Sequence, residues 1–230
     1  MRSVRVAERP AVGRAAARLM VVGIRDAVRD AAVLAWAARD ALAATDAIYV
    51  VHALAPSLHD DTDRRCRAAR QVARAVEQLQ VSHPDLPAFG SVLDALPGDV
   101  LIELSCSADL LVVGADAAGT ALGTPHVALR VQEHARCPVA CIPPDFERCQ
   151  RPVTVAAADA RPSEDAMRFA ADYAQRHAAT MQVARIELDD DWLADVAARS
   201  SLVVVAADVL TGDQRSVDPF RLHCPIVVVP

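Results

Sequence analysis

Lysine is absent from the sequence, and all 24 basic residues are arginine; this is a compositional habit that carries no functional information. Aromatic residues make up only 3%, whereas Ala, Val and Leu dominate a hydrophobic content of 53%. That balance belongs to a tightly interleaved helix-and-strand protein rather than to a disordered chain. No apolar run reaches the roughly 20 residues that a membrane-spanning helix needs, so no membrane association is expected. The six cysteines, Cys66, Cys106, Cys137, Cys141, Cys149 and Cys224, contain no C-x-x-C pair. Neither a zinc site nor a disulfide framework is signalled, and a reducing cytoplasm is the expected setting.

Clustered positive charge is also missing from the body of the chain. The net charge is −6, yet the first 18 residues hold five arginines against Glu8. The remainder is therefore strongly acidic and has no electrostatic reason to seek nucleic acid. Residues 1–17 read as a flexible basic tail, since they lack the apolar core of a secretory signal.

What the sequence does contain is a repeat. ADLLVVGAD (108–116) runs on to HARCPVACIP (134–143), and SSLVVVAAD (200–208) runs on to LHCPIVVVP (222–230). An apolar strand followed by a Cys-Pro-led apolar strand thus occurs twice, which argues for a duplicated unit. At 230 residues the chain accommodates two small domains. Pairing the two starts aligns Val22 with Val155, Asp26 with Asp159, Trp36 with Phe169 and Ala37 with Ala170, all at an offset of 133. By Gly114 and Ala206 the offset is 92, and by Cys137 and Cys224 it is 87. The second copy is expected to lack about one helix and one strand, and then a few residues of its last loop.

The elements follow from the pattern. RLMVVGI (18–24) and AIYVVHAL (47–54) are continuous apolar runs of the kind buried on both faces of a parallel sheet. An Ala-rich helix is expected over about 28–44, and a second over about 61–80 with a stripe of Ala69, Val72, Ala73, Val76 and Leu79. Asp99 is a plausible N-cap for a helix after Pro97-Gly98. The runs DDTD (60–63) and Asp189–Asp191 likewise read as helix starts rather than metal ligands. The fold expected is α/β: two Rossmann-like parallel-sheet units in tandem over 18–143 and 152–230, joined by a linker at 144–151.

A first strand ending in an acidic turn, the helix LAWAARDA (34–41), Gly98-Asp99, ADLLVVG and HARCPV together resemble the universal stress protein family. The resemblance covers 18–143 well and 152–230 in fragments, and a tandem arrangement is familiar there. It implies an adenine site near an Asp at the end of the first strand, here Asp26, and main-chain groups of the second strand at Val51. It also implies a phosphate loop patterned G-x2-G-x9-G-[ST]. Glycines let backbone N–H groups approach phosphate oxygens, and a following helix N-terminus adds favourable partial charge. Gly114 opens the pattern, but Ala117 stands at the second glycine and Pro125-His126 at the closing pair. Gly119, Gly123 and Thr124 would serve only in a shifted loop, and Pro125 supplies no donor.

The expectation is therefore a non-enzymatic regulatory or interaction module with an impaired nucleotide site, which engages a protein partner or self-associates, as a homodimer for example. The alternative is an ATP-binding switch or slow ATPase using the first unit. No cofactor is expected in the first case and ATP in the second. No nucleophile–base spacing suggests catalysis. His126, His134 and Cys137 lack the further ligands of a metal site, and Cys137 and Cys224 read as packing residues ahead of strand-opening prolines. The resemblance implies that the two Cys-Pro strands meet.

Overall fold

The computed structural model describes residues 18–44, 46–57, 62–115, 127–147, 149–157, 162–185, 192–210 and 223–230. Strands and helices alternate through β1 (Leu19–Gly23), α1 (Ala31–Ala44), β2 (Ala47–Ala53), α2 (Thr62–Ser82) and β3 (Ala88–Leu93). They continue as α3 (Pro97–Leu104), β4 (Leu110–Gly114), α4 (Val127–His134) and β5 (Val139–Ile142). After the connection come β6 (Val153–Ala157), α5 (Glu164–Arg176), β7 (Met181–Arg185) and α6 (Trp192–Ala198). The chain closes with β8 (Leu202–Ala206), α7 (Ala207–Leu210) and β9 (Ile226–Val229).

All nine strands form one sheet in the order β3-β2-β1-β4-β5-β9-β8-β6-β7. Every neighbouring pair is parallel except β5 and β9, which run antiparallel with Ala140 opposite Val227. The two Cys-Pro strands therefore meet at the centre of the sheet, as the resemblance implied. The pairing of Val22 with Val50 recurs as Val155 with Val183, so the same offset of 133 relates both partners. Moving outward from the β5–β9 seam, each half runs through β4, β1 and β2 or through β8, β6 and β7. Among the described strands, only the first half continues, to β3.

Two faces cover the sheet differently. On one, α1 and α5 lie side by side over a core that crosses the seam, from Trp36 and Leu34 to Phe169, Tyr173 and Val227. The Trp36 and Tyr173 rings stack at 6.1 Å between centroids with 11° between planes. On the other face the core is divided, with α3 and α4 over the first half and α6 over the second. Continuous burial of β1, β4, β6, β8 and β9 accounts for their unbroken Val/Leu/Ile/Ala runs.

Three local expectations are corrected. Helix α1 begins at Ala31 rather than near Val28, because the carboxylates of Asp26 and Asp30 hold residues 25–29 in a turn. The buried stripe of α2 is Ala68, Val72, Ala75 and Leu79, with Ala69 and Ala73 exposed. Its rotation is set by Gly90 of β3, where a Cβ would come within 2.5 Å of Val72 Cγ1, so α2 sits down on a residue without a side chain. Asp99 is not an N-cap: Leu96 holds that position without a side-chain bond, and Asp99 in the first turn pairs with Arg130 of α4. Asp60, Asp61 and Asp189–Asp191 lie outside the described residues, as does the tail 1–17.

Candidate functional site

Strand β1 lies between β2, which follows it in the chain, and β4, which the chain reaches from β3 on the far side. The direction of winding reverses between β1 and β4, and a crevice opens outside the carboxyl ends of strands at such a point. Here it is a cavity of about 120 Å³. Gly23 and Gly114 end the two strands at its floor, and Val51 and Ala53 of β2 form one wall. Leu101 of α3 and Ala128 of α4 form the other, and Arg25 stands at the rim.

The turn after β1 is organised by Asp30, a buried residue that the sequence did not mark as special. Its Oδ2 accepts backbone N–H groups of Arg25 at 2.7 Å and Asp26 at 3.0 Å, and its Oδ1 lies 3.4 Å from the Arg25 guanidinium. Charge-assisted bonds of this kind contribute about 1.5–3 kcal/mol each when formed away from bulk water. A Cβ added to Gly114 would stand 3.4 Å from the same Oδ1, in ordinary contact with the carboxylate. The signal available in the sequence was the pair of acids, Asp26 and Asp30, in the turn ahead of a helix.

Of the residues expected at the site, Gly114 and Val51 line the cavity. The Val51 carbonyl is already engaged by the Ile24 N–H at 2.9 Å. Asp26 does not line it. Its Oδ1 accepts the N–H groups of Val28 and Arg29 at 2.9 and 3.1 Å, and these bonds, Arg29 first, hold its carboxyl below the usual range. Gly119, Gly123, Thr124 and His126 lie outside the described residues, as does Asp159. His52, next to Val51 on the strand, is pushed below the usual histidine value by burial and then by the Arg64 charge. It is thus held neutral at pH 7.

Among the described residues no cluster of three or more His, Cys, Asp or Glu is placed to hold a metal ion. The Cys137 and Cys224 thiols are buried and, by that burial, pushed up to about 12, as is Cys141. A thiol in that state is a packing element rather than a nucleophile. Among the described residues no helix is long and apolar enough to cross a membrane.

The fold and the crevice define a class: an α/β protein with a mostly parallel nine-stranded sheet built from universal-stress-protein-like, Rossmann-like units. Among solved structures, a universal stress protein from Archaeoglobus fulgidus matches 92% of this chain and 95% of its own, with a TM-score of 0.67 at 10% identity. A functionally unknown protein from Pseudomonas aeruginosa matches 93% of this chain and 92% of its own, with a TM-score of 0.62 at 12% identity. Another A. fulgidus universal stress protein, solved with dAMP, covers 54% of this chain at a TM-score of 0.46, too loose a likeness to place a ligand here. No protein-family model matches the chain, and no curated protein does. At these identities the likeness is one of fold.

Proposed function

We propose that this chain is a cytoplasmic regulatory module of the universal stress type, made of two tandem units with the second cut short, which acts by binding a protein partner or a second copy. It performs no catalysis, and its nucleotide site is impaired. The observation that carries this reading is the size and lining of the crevice. At about 120 Å³ it falls well below the ~300–1,000 Å³ usual for small-molecule sites. Its walls are mostly aliphatic, the Asp26 carboxylate is committed to its own turn, and Arg25 is paired with Asp30.

Titration calorimetry with ATP and Mg-ATP is expected to give no saturable heat at micromolar concentrations, and phosphate release is expected to stay at the uncatalysed rate. Micromolar ATP affinity that is lost on Gly114→Val would overturn the impaired site. Turnover of ATP abolished by the same substitution would overturn the non-enzymatic reading as well.

A second reading, an ATP-binding switch, is favoured by one arrangement: two strand-terminal glycines flank the crevice at the point of winding reversal, with the Arg25 guanidinium at its rim. It predicts adenine nucleotide carried through purification and a thermal shift with Mg-ATP.

A further inference from the structure

A larger cavity, of about 400 Å³, opens beside the amino ends of β6, β7 and β8. Both halves build it. Arg39 comes from α1, Phe146, Cys149 and Arg151 from the connection between the halves, and Tyr173 and His177 from the last turns of α5. Ser201, at the head of β8, adds a hydroxyl. This volume lies in the usual range for a small-molecule site, whereas that of the crevice does not.

Its chemistry is one-sided. Two guanidinium groups line it, and among the described lining residues there is no carboxylate. Asp40, a buried acid that contacts His177 of the lining, is paired with Arg176 and hydrogen-bonded by His177, each 2.9 Å from its Oδ1. In a protein of net charge −6 this concave surface keeps a local positive excess. Both guanidiniums are anchored without being used up. Arg39 lies over the Phe146 ring at 5.4 Å from its centroid, and Arg151 donates to the Ala198 carbonyl, leaving further N–H donors on a fork suited to an oxyanion. The aromatic part is equally defined: Tyr173 lies against His177, with ring centroids 4.2 Å apart and planes tilted by 40°, and lines the cavity with Phe146 beside the charge. Burial and then the Asp40 charge push the Tyr173 phenol up to about 12, so it remains a neutral donor.

We propose that this cavity is a binding site for a small organic anion, a phosphate or carboxylate carried on a planar ring. Arg39 and Arg151 hold the anion and the Phe146–Tyr173 walls hold the ring. The site shares no lining residue with the crevice and does not depend on whether that crevice takes a nucleotide. Because its residues come from α1, the connection and α5, a bound ligand would bridge the two halves.

The test titrates the full chain with phenyl phosphate and with benzoate, and with inorganic phosphate as the ringless comparison. One of the two ring-bearing anions is expected to bind with a dissociation constant on the order of 1 mM or tighter, as a ligand of that size allows. Arg39→Ala and Arg151→Ala are each expected to weaken it about tenfold, the loss of one charge-assisted contact, while Arg25→Ala leaves it unchanged. In the unaltered chain, the same anion is expected to slow alkylation of Cys149, which lines the cavity, but not of exposed Cys66 or Cys106. This second readout needs no variant to fold. Equal affinity for inorganic phosphate would overturn the ring assignment. No binding of either ring-bearing anion, binding indifferent to both arginine substitutions, or loss on Arg25→Ala would overturn the site.

Discussion

Strands β2 and β7 occupy matching positions one step outside β1 and β6, yet they live in different surroundings. Val50 and Val183, related by the offset of 133, pair with Val22 and Val155 respectively, but Val50 is 0% exposed and Val183 is 50%. One residue earlier in the same facing pattern, Ile48 is 0% exposed and Met181 is 38%. Nothing in the strands themselves explains this. The difference lies in what comes next: β2 is flanked by β3 and covered by α2, whereas β7 is the last of the described strands on its side of the sheet. The second half thus leaves apolar surface, Met181 and Val183, exposed at that edge. Arg185 and Gln182 on that edge are the kind of polar residue that blunts strand-to-strand association.

The comparison presupposes that both halves share one core, and the sharpest way to break it is at the seam. Val227 is fully buried opposite Ala140, in the core that also contains Trp36 and Tyr173. Val227→Asp buries an unpaired charge, and the expected cost, about 3–5 kcal/mol or more, is enough to unfold both halves together. Denaturation followed by the fluorescence of Trp36 and Trp192 and by far-ultraviolet dichroism should show one lost transition. A first half that still unfolds cooperatively would mean that the seam does not join the halves energetically.

Next in size is the matched pair itself. Val50→Ala removes two methyl groups from a closed core and is expected to cost about 2 kcal/mol, while Val183→Ala should stay within about 0.5 kcal/mol. Urea midpoints of the two variants measure the difference directly. Equal costs would show that β7 is covered in solution, by a partner or a second copy.

The sequence made β2 and β7 look alike because strand pattern reports the sheet face, not the neighbour beyond the edge. It did reveal the strands, and the resemblance the Cys-Pro pairing, since apolar runs survive without tertiary information. The rotation of α2 escaped it, being set by the absence of a side chain at Gly90 on a different strand. At the crevice, Gly114 and Val51 were legible from their places at strand ends. Asp30 was not, because an acid just ahead of a helix is common; its role exists only once the chain folds back to offer the N–H groups of Arg25 and Asp26. The larger cavity was illegible for the same reason, as its walls come from segments more than a hundred residues apart.

A buried acid separates the halves as well. Asp46, just ahead of β2, is buried with Oδ1 unpartnered among the described residues, and Ala179 holds the equivalent place ahead of β7. Burial, opposed by the Arg18 charge, raises its carboxyl above the ordinary aspartate value. A raised acid binds its proton more tightly folded than unfolded, so stability declines as pH rises from the ordinary value through the raised one, then levels off. Asp46→Asn is therefore expected to stabilise at pH 7 and to lose that advantage as the pH is lowered through this window. Thermal midpoints of the two proteins across pH 3.5–7 report the difference. A gap that widens on acidification would contradict the burial argument.

The smallest expected effect tests how the second half ends its helix. Ala178 has φ of 51°, in the left-handed region, directly after α5. The Ala179 N–H reaches back to the Ala174 carbonyl at 2.9 Å and the Ala178 N–H to that of Gln175 at 3.3 Å. The first of these is the longer-range bond of a Schellman-type stop, whose left-handed residue is most often glycine because a Cβ there is strained. Ala178→Gly relieves that strain and raises the entropy of the unfolded chain, two opposed terms with the first larger at a left-handed position. A net gain of about 0.5–1 kcal/mol is expected, read as a higher urea midpoint with unchanged slope. Loss of stability instead would mean that the alanine methyl is held by contacts that outweigh its strain. Since Ala178 also lines the larger cavity, the same variant reports whether this turn shapes the wall.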